Sequence, residues 1–323
     1  MEVIALPGQF EEEPEFEGTP RDSGPLVLAG LGGSGLAGEL AGLLIGPRMV
    51  RVVREERLPD ALPAGASVIC VSFSGDTGET LAVWDEARAR GIPVAAVASG
   101  GALRDRARAA GCPHATVSGG LSPRSSLGYL VRGVLAAAGE RRDRSFWADV
   151  RRHLETVHRD WMLPRGGSAD SPVDALSKAL ADSLPAVLFT GALGAAAARR
   201  WVADFAENAQ VPALAWPFPE AAHNAIQTVA RDAPRRVPMA LVALDTARGK
   251  DEGRRWTVSL DLLAETGVPV HRVRALHPEP WIEAVGLCYL GDWVSVGVAE
   301  RLGVRAADLT IMNELKSRLG HRP

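Results

Sequence analysis

Nine residues, Ser72-Phe73-Ser74-Gly75-Asp76-Thr77-Gly78-Glu79-Thr80, follow directly on a short apolar run and carry hydroxyls at 72, 74, 77 and 80. Several hydroxyls set among the free backbone N–H groups of a helix start make an anion cradle that needs neither lysine nor metal. The stretch has no GxxxxGK[ST] pattern, which separates it from nucleotide triphosphatase loops. Asp76 and Glu79 have the spacing of a capping box, but a cap does not account for hydroxyls at 72, 74 and 77 together. Ser72, Ser74 and Thr77 are therefore candidate phosphate ligands. A second turn, Gly30-Leu31-Gly32-Gly33-Ser34-Gly35, offers Gly33 and the Ser34 hydroxyl at another helix start. Gly30, Gly32 and Gly35 also fit the dinucleotide pattern GxGxxG, which wants an acidic residue about 20 positions on. Glu55 is a loose match, and it follows a strand bearing Arg51 and Arg54. An NAD-dependent oxidoreductase is thus an alternative that the hydroxyl loop argues against.

Such turns must be held by buried strands behind them and helices ahead. Leu26–Gly32, Met49–Glu55, Ser67–Phe73, Pro93–Ser99 and His114–Val117 read as short apolar strands, with helical segments between them. The second half repeats the scheme with expected strands at Ala186–Gly191, Val211–Trp216, Val237–Asp245 and Val268–Ala275. A long helix after Gly191 and C-terminal helices near Glu279–Arg301 and Thr310–Leu319 complete it. Alternating strands and helices predict an α/β chain of two doubly wound parallel sheets in tandem. Ligands of such folds sit at the carboxyl ends of the strands and in clefts between domains. Phe146, Val150, Leu154, Val157 and Trp161 recur at helical spacing and predict a docking helix. Pro164–Pro172 is a run of breakers. The expected division is an acidic arm over 1–24, a first domain over 25–139, a connecting helix and linker over 140–172, and a second domain over 173–323.

Length and charge bound the function. The 323 residues suit two domains, and the net charge of −3 gives no global attraction for nucleic acid or an anionic membrane. Cys70, Cys112 and Cys288 are scattered, form no CxxC pattern and suggest a reducing compartment. No basic, apolar leader and no uninterrupted apolar run of spanning length is seen, so the expectation is a cytoplasmic protein without a membrane segment. No His/Glu/Cys cluster has ligand spacing, so neither metal nor cofactor is expected.

SxSGxTxET after a buried strand resembles the signature of sugar-isomerase (SIS) domains. Gly32-Gly33-Ser34-Gly35, Pro123-Arg124, Glu207-Asn208-Ala209, Pro219-Glu220…His223-Asn224 and Lys316 in ELKSRLG narrow the resemblance to the bifunctional phosphoglucose/phosphomannose isomerases. It runs from about residue 28 to the end. It implies two SIS domains of flavodoxin-like strand order and a phosphosugar substrate. It also implies a homodimer whose active site is shared, with the histidine supplied by the neighbouring subunit. Aldose–ketose isomerisation moves a proton between C1 and C2 through an enediolate, and needs a carboxylate base, a cation for the oxyanion and an acid/base for ring opening. Glu207 fits the base, Arg124 the cation, and His223 with Lys316 the ring-opening groups. Three positions depart from the pattern: Asp76 stands where asparagine is commoner, Ala225 replaces a glutamate after His-Asn, and Leu309 takes the place of a threonine associated with the mannose epimer. Thr310, adjacent to it, could substitute if the helix starts one residue later. A non-catalytic SIS protein that senses a phosphosugar is the alternative, and the presence of both Glu207 and His223 argues against it.

Overall fold

The computed structural model describes residues 2–164, 169–229, 237–246, 253–306 and 308–319. Among these, 2–152 with 314–319 cluster into one compact unit and 153–313 into a second. Parts of two expected loops, at 164–172 and 246–255, lie outside the described residues.

The first unit is built on six strands: β1 (Glu15–Glu17), β2 (Leu26–Ala29), β3 (Val50–Val53), β4 (Ser67–Val71), β5 (Val94–Ala98) and β6 (His114–Thr116). Their order is β1-β6-β5-β4-β2-β3, with β1 antiparallel to β6 and every other pair parallel. Counted alone, the five parallel strands run 2-1-3-4-5, the flavodoxin-like order. β2, β4 and β5 are buried at every position, which is why each reads as an unbroken apolar run rather than an alternation. Helices α1 (Gly32–Gly42), α2 (Gly78–Ala89), α3 (Gly101–Ala109) and α4 (Leu127–Ala137) follow β2, β4, β5 and β6. The crossover reverses at β2, so the carboxyl ends of β2 and β4 flank the switch point. Those ends lead into the Gly30–Gly35 turn and the Ser72–Thr77 loop.

The N-terminal stretch is no free arm. A helical turn at Leu6–Gln9 and strand β1 fix it to the sheet and its helices. Leu6 and Phe10 are core residues, and Phe10 stacks on Trp147 at a ring separation of 6.1 Å, with the Arg132 guanidinium 4.5 Å from the same indole. The stretch reads as structureless because a three-residue edge strand is too short to show a period.

In the second unit β7 (Leu184–Thr190), β8 (Leu214–Phe218), β9 (Met239–Leu244) and β10 (Val270–Val273) form a wholly parallel sheet in the order β10-β9-β7-β8. Renumbered from β7, this is 2-1-3-4, the first unit's order without its last strand. β8 starts three residues later than its apolar pattern suggests. Gln210 is still leaving the preceding helix in the left-handed region (φ 55°), and Pro212 has no N–H to give a ladder. Helix α5 (Arg144–Met162) begins in the first unit and continues into this one, followed by α6 (Pro172–Leu180), α7 (Gly191–Asp204), α8 (Gly253–Glu265) and α9 (Pro280–Leu302); α10 (Thr310–Arg318) starts in this unit and its residues from 314 on belong to the first. α6 opens on a reciprocal cap between Ser171 and Asp174. The 23-residue α9 is long and apolar enough to cross a bilayer by length, yet it is almost wholly enclosed by protein and packs on α7 and α6.

The buried N-terminal contact is testable. Phe10→Ala should cost about 3–5 kcal/mol, the penalty of a core aromatic, read as a shift in the urea midpoint of the first unit's unfolding. A residue of a free arm would show almost none.

Candidate functional site

The hydroxyl loop of the first unit is closed by its own side chains. Ser72, buried, lies with its Oγ 2.9 Å from Thr77 Oγ1 and accepts the Gly75 N–H at 3.1 Å. Ser74 is exposed, and its Oγ accepts from the Asp76 N–H at 3.2 Å. Ser34 crosses from the glycine turn, its Oγ accepting the Phe73 N–H at 3.3 Å. Ser34, Ser72 and Thr77 are thus brought together where α1 and α2 begin.

The capping box that the Asp76 and Glu79 spacing would allow does not form. Thr77 is the residue before α2 and makes no side-chain cap, while the Asp76 carboxylate turns aside to accept the Ala102 N–H at 2.9 Å, capping α3. Its negative charge is therefore spent on a helix start. The loop is fastened to the β5–α3 turn, with Ser99 Oγ donating to the Phe73 carbonyl at 2.7 Å and Leu103 N–H to the Gly75 carbonyl at 2.9 Å. The approach is close enough to dictate residue type. Gly75 has φ 79°, and a Cβ there would lie 1.9 Å from the Gly100 carbonyl oxygen.

Arg124 belongs to a one-turn 3₁₀ segment, Pro123–Ser125, ahead of α4. A Cβ on Gly33 would sit 3.2 Å from the Pro123 carbonyl oxygen and 3.6 Å from Arg124 Cα. The second glycine of the Gly-Gly-Ser turn therefore lets the Pro-Arg backbone lie against it. Gly33, Ser34, Ser72, Thr77 and the Arg124 turn form one neighbourhood.

In the second unit, α7 does not end at Asp204 but widens into a turn of π-helix, Phe205–Ala209. Such insertions recur at functional positions because they re-aim one side chain without ending the helix. Phe205, Asn208 and Ala209 are buried, whereas Glu207 is half-buried and lines a cavity of about 560 Å³. Gln210, Val211, Pro212, Leu309 and Thr310 share that wall. α10 starts at Thr310, whose N–H and hydroxyl both donate to the Asp308 carboxylate. The departing Leu309 and the adjacent threonine therefore both face the carboxylate's cavity.

Behind the π turn lies a charged network. Arg200 is buried, its Nε 2.7 Å from Asp292 Oδ1 and 2.9 Å from Asp204 Oδ2. Asn208 Nδ2 donates to Ser295 Oγ at 2.9 Å, and Ser295 Oγ donates to the Asp292 carbonyl at 2.9 Å. The sequence does not choose between Arg199 and Arg200 as support for Glu207. The fold buries Arg200 and leaves Arg199 exposed. Asp204, Asp292 and Ser295 are new. Only the four-residue spacing of Arg200 and Asp204 hints at them. Burial pushes the Asp204 carboxyl well up; the Arg200 charge opposes the rise, and the neighbouring Asp292 and Glu207 charges add to it.

His223 ends a 3₁₀ turn, Glu220–His223, is exposed, and does not line the Glu207 cavity. Asn224, beside it, donates to Glu220 Oε1 at 2.8 Å. Lys316 lies on α10, and its side chain falls outside the described residues.

Residues 169–319 match the family described as the bacterial phospho-glucose isomerase C-terminal SIS domain. The chain is 28% identical over 330 residues to the bifunctional phosphoglucose/phosphomannose isomerase of Aquifex aeolicus, covering 98% of each. Among solved structures it is similar to the C-terminal domain of glucosamine-fructose-6-phosphate aminotransferase from Francisella tularensis, with TM-score 0.73, 14% identity and coverage of 95% of this chain and 97% of that one. A glucose-6-phosphate isomerase like protein from Thermus thermophilus gives TM-score 0.63 at 17% identity, covering 98% and 93%. These structural likenesses speak to the fold alone.

The charged network makes its own prediction. A carboxyl whose folded pKa is raised keeps a proton that the unfolded chain releases, so its contribution to stability falls as pH rises above the unfolded value. Asp204→Asn should fold. Its stability relative to the parent should improve with rising pH above about 4, by at most about 1.4 kcal/mol per unit, as read from urea unfolding across pH 4–7.

Proposed function

We propose that this chain, a homologue of the bifunctional phosphoglucose/phosphomannose isomerases along nearly its whole length, is a phosphosugar isomerase that interconverts glucose 6-phosphate, and mannose 6-phosphate, with fructose 6-phosphate. The observation that carries the reading is Glu207, held at a cavity wall by a π turn anchored through the buried Phe205, Asn208 and Ala209. A surface glutamate needs no such mounting.

In this reading the Ser72–Thr77 loop, with Ser34 and the Gly33 backbone, holds the phosphate. His223 and Lys316 open the sugar ring. Glu207 removes the C2 proton of the open aldose while the C1 carbonyl oxygen gains a negative charge, giving the enediolate. Arg124 offsets that charge. Glu207 then returns the proton to C1, the C2 hydroxyl gives up its proton as the C2–O bond becomes the carbonyl, O1 takes up a proton, and one ketose results with no net oxidation. Both aldose epimers pass through the same enediolate, because they differ only at C2. The chain works as a homodimer in which His223 of the partner subunit completes each site, which suits a histidine that is exposed and outside its own chain's Glu207 cavity. The setting is the cytoplasm, consistent with three buried, scattered cysteines.

Glu207→Gln should keep the fold and lose at least about 100-fold in kcat, measured in an assay coupled to fructose 6-phosphate formation. Near-normal turnover would reject Glu207 as the base, and absence of turnover in the parent chain would favour a phosphosugar sensor. Leu309 is bulkier than threonine and cannot hydrogen-bond, so mannose 6-phosphate should be the poorer aldose by kcat/KM. Thr310→Gln, which fills the shared cavity, should lower mannose 6-phosphate turnover more than glucose 6-phosphate turnover. Equal activities in variant and parent would place Thr310 outside the reaction.

A further inference from the structure

The Pro123–Ser125 turn that carries Arg124 is short. Its internal backbone bonds are Ser125 N–H to the Ser122 carbonyl at 3.0 Å and a long Ser126 N–H to Pro123 contact at 3.4 Å, joined by Ser122 Oγ to Ser125 Oγ and Ser126 Oγ to the Ser122 carbonyl, both at 2.9 Å. A 3₁₀ segment of this length is weakly held by itself. It is gripped from outside, on both flanks, by residues more than a hundred positions away. On the entering flank, Glu2 Oε2 accepts from the Ser122 N–H at 3.1 Å and also from the Ser122 hydroxyl. On the leaving flank, the Gln9 amide is used at both ends: its Nε2 donates to the Ser125 carbonyl at 2.6 Å, and its Oε1 accepts the Gly128 N–H at 3.0 Å. Gln9 is 1% exposed, so its amide has no water to fall back on. Gly128 has no side chain because a Cβ there would lie 2.7 Å from Gln9 Cβ. Burial pushes the Glu2 carboxyl up, but the Ser122 and Ser125 hydrogen bonds and the Arg124 charge hold it below the ordinary carboxylate range. Phe10, stacked on Trp147, anchors the segment next to Gln9.

We propose that residues 2–10 form a strap over the Pro123–Ser125 turn, and that Glu2 and Gln9 are positioning residues for Arg124. The inference rests on the reading of Arg124 as the cation that offsets the enediolate charge. A guanidinium that serves a transition state must be held to a fraction of an ångström. The strap fixes the backbone from which the guanidinium projects without touching substrate itself.

A double-mutant cycle tests this. Arg124→Ala is measured first, and parental kcat in that variant would remove the reading of Arg124 before any strap residue is changed. Given a loss there, Gln9→Met, which keeps the volume and deletes both hydrogen bonds, should lower kcat about tenfold in the parent. The inhibition constant of inorganic phosphate, a property of the hydroxyl loop, should stay within about twofold. In the Arg124→Ala background the same change should lower kcat by less than about twofold, because the group being positioned is gone. Equal losses in both backgrounds, or no loss in the parent, would overturn the strap. Glu2→Ala, at an exposed residue that folding tolerates, runs the same cycle if Gln9→Met does not fold.

Discussion

Arg200 carries a full charge into the interior of the second unit, and much of that unit is arranged around keeping it there. A buried guanidinium without counter-charge is costly enough to unfold a domain. Burial itself works against its proton, and Asp204 and Asp292 more than restore it. Those two carboxylates come from α7 and α9, so the ion network fixes the register of two helices against each other. Asn208 and Ser295 extend the same network to the π turn. Glu207 is aimed outward because its neighbours are bound inward.

The first unit solves its positioning problem with backbone rather than charge. The hydroxyl loop, the β5–α3 turn, the glycine turn and the Pro-Arg turn are stacked at van der Waals distance, and glycines at 33 and 75 make that approach possible. Asp76, a departure from the pattern of the resembled family, has been absorbed as a cap for α3. Its carboxylate is therefore engaged at the start of α3 rather than with the Ser72 and Thr77 hydroxyls.

The parallel sheets were legible because their strands are buried on both faces and read as apolar runs ended by glycine. Ser72, Ser74 and Thr77 stood out as candidates because three hydroxyls after such a run have few structural explanations; the fold gathers Ser72 and Thr77 with Ser34 and leaves Ser74 exposed. What could not be read depends on distant pairs. Glu2 and Gln9 find their partners 116 to 120 positions away, and Arg200 meets Asp292 across 92. No periodicity reports a contact of that kind. β8 was misplaced for a local reason, since a widened last helical turn is invisible to a pattern that assumes 3.6 residues per turn. The capping box at Asp76 failed because spacing names a possible acceptor but not which of two nearby helices will use it.

The first unit is not a continuous length of chain. It takes in residues 314–319, which are synthesised only after the whole of the second unit. On the ribosome, the strands β1 to β6 can be made early, yet this unit lacks residues 314–319 until the second unit has been synthesised. The second unit, by contrast, is one uninterrupted stretch and can finish first.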